Sequence, residues 1–162
     1  MAPCRPHEQP ASLPAWRIVT LADQLNRFVE DLPSGEDPVL SDDHFAEWGQ
    51  RYLESDPDSK LREPIGVKIP LGPFSDIIGA WHGRLAYDPG KVLAATAIIR
   101  GEWDRLLTDE DARGLFEAFS HVRLKRDIKL SKGTHLMHLE AGRRAVWSES
   151  LCFLRGDSPT LD

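Results

Sequence analysis

Two short stretches of the sequence carry residues that could share a catalytic role. Asp104 ends the stretch "RGEWD", and His135 stands in the stretch "GTHLMHLE" that runs from Gly133 to Glu140. A carboxylate beside an imidazole orients the ring, selects its tautomer and stabilises its protonated form, which makes the histidine a usable general base near neutral pH. Asp104 and His135 could therefore be the orienting acid and the base of a nucleophilic triad.

The region from about residue 91 to 162 contains the elements that would bring these two residues together. The stretch "VLAATAIIRG" predicts a strand buried on both faces, and "VRLKRDIKLSKG" predicts a second strand. A helix starting at Thr108 lies between them, and a final helix that begins near His138 and ends at Gly156 follows them. This order predicts an α/β arrangement with two parallel strands, whose carboxyl ends would present both side chains at one edge of the sheet.

Residues 1–90 predict a helical region without strands. Two helices are expected to begin at Thr20, which forms a capping-box pattern with Asp23, and at Ser41. A third helix is expected in "GPFSDIIGAWHGRLAY". We interpret the apolar and aromatic residues on these helical faces as core packing. The expected inward face of the third helix consists of Phe74, Ile77, Ile78 and Trp81. The expected inward face of the C-terminal helix consists of Leu139, Val146, Phe153 and Leu154.

The stretch from Val92 to Leu154 resembles the C-terminal end of an α/β-hydrolase. In that family the acid follows a strand in a "GE-x-D" turn, and the histidine opens a "G-x-H" loop before the last helix; "RGEWD" and "GTHLMHLE" match both patterns. The resemblance implies a partial α/β-hydrolase sheet of two C-terminal parallel strands with flanking helices, preceded by a helical cap-like region. It also implies that Asp104 and His135 are catalytic residues for serine-type hydrolysis of an ester or other acyl bond, without a cofactor, on a small apolar ester-like substrate.

The sequence departs from that family at the nucleophile. The "G-x-S-x-G" elbow that should precede the acid is absent, and the donors of the oxyanion hole would be missing with it. Ser75 lies in a predicted helix and Ser34 in a predicted loop, so neither replaces it. We therefore expect a truncated or split chain, inactive alone, whose nucleophile a complementary chain could supply. The exposed strand edge of a two-stranded sheet also predicts self-association.

Other interpretations remain open from the sequence. Asp104 could be a simple helix-entry acid and His135 a simple loop residue, and the chain could be a non-catalytic module that binds a small ligand or another protein. A metal site in "H-x-x-H-x-E" is not expected, because Glu140 would lie well round a helix from His135 and His138. Glu140 is expected to anchor the loop that carries His135 through hydrogen bonds.

Composition limits the classes of protein and of partner. The chain has 162 residues, of which 41% are hydrophobic and 28% charged, which suits one globular domain. A net charge of −6 without a concentrated basic face argues against nucleic acid. No apolar run approaches the roughly 20 residues of a membrane span, and the N-terminus lacks the apolar centre of a secretion signal. The distant pair Cys4 and Cys152 is typical of a reducing, cytoplasmic protein.

Overall fold

The computed structural model describes residues 13–156, so the predictions that concern Cys4 and the N-terminal segment lie outside the described residues. Two short 3-10 turns, Ser59–Leu61 and Pro89–Lys91, join longer elements. None of the helices in residues 13–156 combines the length and the apolar character of a membrane span. In chain order the elements are β1 (Trp16–Val19), α1 (Leu21–Val29), α2 (Asp42–Glu54), β2 (Val67–Pro70), α3 (Gly72–Trp81), β3 (Thr96–Gly101), α4 (Asp109–Ala118), β4 (Lys125–Leu130) and α5 (Arg143–Arg155).

Strands β3 and β4 form a parallel pair joined through α4. Thr96 lies opposite Lys125 at one end of the pair and Gly101 lies opposite Leu130 at the other. Helix α4 begins where the sequence predicts, because the Thr108 side chain accepts the N–H of Asp111 and the Asp111 carboxylate accepts the N–H of Thr108. Mixed helices and strands with a parallel pair confirm the predicted α/β class.

The outer edge of β3 is unpaired within the described part of the chain. The N–H of Thr96 donates to Leu124, and the even-numbered residues of β3 continue this pattern towards β4. The backbone groups of Ala97 and Ile99 therefore point to the opposite edge, where residues 13–156 provide no further strand. The prediction that this strand is buried on both faces is wrong: apart from Gly101 its residues are only half-buried, because the described residues do not pack a complete layer on each face of the sheet.

The region before residue 90 is not entirely helical, which corrects the prediction. Strands β1 and β2 pair in antiparallel fashion, with Trp16 opposite Pro70 and Val19 opposite Val67. Each strand has only four residues, and the two are far apart in the sequence. Such short segments carry too little periodicity to be predicted, and their pairing depends on contacts that are not local.

The helices of this first region pack through the predicted aromatic faces. The buried Phe28 ring contacts the rings of Phe45 and Trp48 edge-on, with centroids 5.7 and 5.2 Å away. Trp48 in turn stacks on Tyr52, and the Tyr52 hydroxyl donates to the carbonyl of Val19. This cluster joins α1 and α2 to strand β1, so the aromatic faces form a core as interpreted.

Two expected helix faces are less buried than the sequence suggested. In α3 only Ile78 is buried, whereas Phe74 and Ile77 stay exposed. Helix α5 begins at Arg143 and not near His138, and Leu154, predicted to face inward, is 79% exposed. Both errors have one cause: the periodicity marks an apolar face, but the described residues supply no neighbour to cover it.

Candidate functional site

The loops that follow β3 and β4 are in direct backbone contact. The N–H of Trp103 donates to the carbonyl of Gly133 at 2.8 Å. A Cβ atom placed on Gly101 would lie 2.1 Å from that same carbonyl oxygen, and 2.7 Å from the carbonyl oxygen of Thr134. No residue with a side chain fits at position 101 unless the backbone moves. Glycine there allows the two strand ends to approach closely and places both loops at one edge.

Asp104 lies in the first of these loops and is held by three donors. Its Oδ1 accepts the backbone N–H groups of Leu106 and Leu107, each at 2.9 Å, and its Oδ2 lies 3.0 Å from Nδ1 of His135. The side chain is only 5% exposed. Burial raises the pKa of Asp104, but the hydrogen bonds from His135 and the two backbone N–H groups outweigh it, so the pKa lies below its ordinary value. Asp104 is therefore a carboxylate that faces the imidazole.

The second loop is held by a buried carboxylate that bonds the residue before His135. Glu140 is fully buried and accepts both the backbone N–H of Thr134, at 3.1 Å, and the Thr134 hydroxyl. The Thr134 oxygen in turn accepts the N–H of Leu136 at 3.1 Å. The predicted role of Glu140 as an anchor of this loop is confirmed. Thr134 was missed, because a threonine before a histidine carries no local signal that it will meet a glutamate six residues later.

His135 lines a cavity of about 220 Å³ that is bordered by β3, α4, α5 and the two loops. Its Nδ1 contacts Asp104, whereas Nε2 makes no hydrogen bond to any residue from 13 to 156, and the side chain is 29% exposed. The cavity has an apolar wall, which favours a small apolar molecule over a charged one. That wall consists mainly of Ile98, Ile99, Leu107, Ala112, Leu115, Met137 and Val146.

The two serines considered in the sequence do not line this cavity. Ser75 is exposed on α3, and Ser34 is exposed in a turn. Thr134 is the one hydroxyl residue among the cavity-lining residues, and its oxygen already bonds Glu140 and Leu136. In the part of the chain that the structure describes, this site therefore has a carboxylate and an imidazole but no available hydroxyl or thiol.

The sequence contained a signal for part of this geometry. An aspartate whose side chain accepts N–H groups two and three residues later commonly forms a turn before a helix, and Asp104 forms such a turn with Leu106 and Leu107.

For metal binding, residues 13–156 contain no group of three His, Cys, Asp or Glu side chains arranged as ligands. The oxygens of Glu140 are engaged by Thr134.

Comparisons of the chain with protein-family models, with curated proteins and with solved structures found no match. The interpretation of the site therefore depends on its own geometry. That geometry is a buried carboxylate, an imidazole with one engaged and one available nitrogen, and an apolar cavity beside them. Chemically, such a pair can accept a proton from a hydroxyl or thiol and return it to a leaving group.

Proposed function

We propose that Asp104 and His135 are the acid and the base of a serine-type hydrolase site of the α/β-hydrolase kind. The observation that carries this proposal is the 3.0 Å contact between Asp104 Oδ2 and His135 Nδ1 at the carboxyl ends of two parallel strands. In open α/β sheets this edge is where ligands bind. The order of elements agrees with it, since the acid follows β3, α4 and β4 come next, and the histidine precedes the last helix.

The chemistry follows from the two ring nitrogens. When the Nδ1–H group forms a hydrogen bond to Asp104, the Nε2 lone pair is available to take the proton of a nucleophilic hydroxyl. The hydroxyl oxygen bonds to the carbonyl carbon of an ester, and the proton on Nε2 then passes to the departing alcohol. In the second half of the reaction a water molecule gives its proton to Nε2 and attacks the carbonyl carbon of the enzyme-bound ester. The Nε2 proton then returns to the nucleophilic oxygen as the carboxylic acid product leaves. Asp104 stabilises the imidazolium in both halves of this cycle, and its low pKa keeps it ionised at neutral pH.

The nucleophile and the oxyanion donors have to come from outside the described residues. In our proposal a complementary chain or segment supplies a serine at the edge where Asp104 and His135 lie. The isolated chain is then expected to bind a small apolar ester without turning it over, because a base and its orienting acid retain little activity alone. The apolar wall of the cavity supports an ester-like substrate of small size.

A direct test measures the tautomer and the activity separately. Long-range ¹H–¹⁵N spectra of the purified chain should show the Nδ1–H tautomer for His135, and Asp104→Asn should change the signals of both ring nitrogens. Glu110→Gln, an exposed acid in the first turn of α4, is the matched control and should leave them unchanged. An Nε2–H tautomer in the unmodified chain would refute the proposed base.

The activity arm compares hydrolysis of p-nitrophenyl acetate by the chain and by His135→Ala. The expected result is an equally low rate for both proteins. Robust turnover that depends on His135 would show that the chain carries its own nucleophile, which contradicts the incomplete site proposed here.

A non-catalytic binding module is the second candidate. The observation that favours it is the cavity itself, which is largely apolar and has no available hydroxyl or thiol among its lining residues. In this case Asp104 and His135 would bind a polar group of the ligand. Weaker binding of a non-hydrolysable ester analogue by Asp104→Asn than by the unmodified chain, together with an Nε2–H tautomer, would favour this candidate over the hydrolase.

A further inference from the structure

A second and larger cavity lies between α3, the segment 83–89 and α4. Its volume is about 530 Å³, within the range of roughly 300–1,000 Å³ that is usual for small-molecule sites. Neither Asp104 nor His135 lines it. The residues around it are Ile77, Ala80, Trp81, Gly83, Arg84, Leu85, Tyr87, Asp88, Pro89, Leu107, Asp111, Gly114, Leu115 and Ala118.

Large apolar side chains of this cavity remain in contact with solvent. Ile77, Leu85 and Leu107 are 37–45% exposed, and Tyr87 is 52% exposed. They come from α3, from the segment after it and from the loop before α4, and they converge on one concave surface. A ligand with an apolar body would remove these side chains from water, which is the main favourable contribution at such sites.

The carboxylates and the arginine that line the cavity differ in whether they already bond other groups of the protein. Asp88 accepts the N–H of Gly90 at 3.0 Å, and Asp111 accepts the N–H and the hydroxyl of Thr108, each at 2.8 Å. The Arg84 guanidinium makes no ion pair or side-chain hydrogen bond with any residue between 13 and 156. The carboxylates thus cap local turns, whereas the cation is available for an anionic group.

We propose that this second cavity binds a small amphiphilic carboxylate, with its apolar body between α3 and α4 and its carboxylate on Arg84. Tyr87 also lines this cavity and adds an aromatic ring to its apolar surface. This proposal does not depend on the hydrolase function, since no residue of the Asp104–His135 contact takes part in it.

The two cavities are nevertheless adjacent. Leu107, Asp111 and Leu115 line both of them. The side chain of Leu107 belongs to this shared wall, while its backbone N–H donates to Asp104. A ligand in the second cavity therefore contacts the residue that helps to hold the acid of the first site.

Calorimetric titration of the full chain with octanoate, 1-octanol and octylamine tests both parts of the proposal. Octanoate is expected to bind most tightly, because only it pairs with Arg84. Arg84 is exposed, and exposed ion pairs are screened by solvent, so Arg84→Gln should weaken octanoate binding about two- to fivefold and should leave octanol binding unchanged. Arg113→Gln, an exposed arginine of α4 that does not line the cavity, is the matched control and should have no effect.

A cavity-filling variant locates the ligand. Ala80→Leu extends a side chain into the second cavity from α3 and should weaken octanoate and octanol alike, while Ala95→Leu, outside the lining, should weaken neither. A circular dichroism melt of each variant checks that it folds. Octanoate binding that is unchanged by both Arg84→Gln and Ala80→Leu would overturn the proposed site, and tighter binding of octylamine would overturn the carboxylate as its ligand.

Discussion

The substitution Gly101→Ala tests the close approach of the two strand ends. A Cβ at this position would lie 2.1 Å from the Gly133 carbonyl oxygen, and real Cβ atoms essentially never come within 3.0 Å of such a neighbour. Relief of the clash requires a movement of about 0.9 Å, the difference between these two distances. The obstructing atoms belong to the backbone, so a change of side-chain rotamer cannot supply this movement.

The size of the effect follows from what the movement disturbs. The hydrogen bond from Trp103 N–H to Gly133 O is 2.8 Å long, and a separation of 0.9 Å in its direction would break it. Overpacking costs about 1–3 kcal/mol and a lost backbone hydrogen bond costs about 1 kcal/mol. We therefore expect Gly101→Ala to lower the free energy of unfolding by about 2–4 kcal/mol.

Urea unfolding at one fixed protein concentration measures this change. Gly142→Ala is the matched control, because a Cβ there meets no atom within 4 Å and its φ is −73°. It should change the free energy by less than about 0.5 kcal/mol. If Gly101→Ala is as stable as the control and the His135 ring signals are unchanged, the tight contact between the two loops does not exist.

Three further experiments test charges and the strand edge. Asp104→Asn should lower the free energy of unfolding by about 1–3 kcal/mol at pH 7; because the folded pKa of Asp104 is depressed, this difference should disappear as urea unfolding is repeated at pH values falling through that pKa. Asp56→Asn should lower the melting temperature at pH 7, since hydrogen bonds from Arg62 and the Lys68 N–H bring the pKa of Asp56 from 3.8 to about 2. The difference in melting temperature between the two proteins should shrink as the pH falls between these values. An unchanged difference at pH 2 would contradict this prediction. Size-exclusion chromatography with light scattering should show self-association that Ala97→Pro, on the free edge of β3, reduces and that Ala95→Pro, before the strand, does not; a purely monomeric unmodified chain would contradict the exposed edge.

The starts of α1 and α4 and the end of α5 could be predicted because their signals are local, whereas the start of α5 was predicted too early. Thr20 accepts the N–H of Asp23, and Thr108 forms the same capping box with Asp111 in the structure. Gly156 ends α5 with a φ of 71°, a conformation that glycine adopts without strain. In each case the residue and its partner are at most a few positions apart, so tertiary contacts do not override the preference.

The candidate site could be predicted in part. The contact between Asp104 and His135 agrees with two expectations from the sequence, namely that each residue follows a strand and that the two strands are parallel neighbours. The contact of Gly101 with the opposite loop and the Thr134–Glu140 brace could not be predicted, because they arise only when separate backbone segments pack together. The burial of β3 was overestimated because a continuous apolar run shows which residues could be buried but not which elements pack on them.

Two of the three donors that hold Asp104 belong to the main chain, and only the contact with His135 comes from a side chain. Any L-amino acid except proline offers the same N–H group, so positions 106 and 107 can be varied without removing the bonds to the carboxylate. Leu107 also lines both cavities. Ligand preference can therefore be re-engineered at this position, by libraries or by natural divergence, while the acid keeps its orientation.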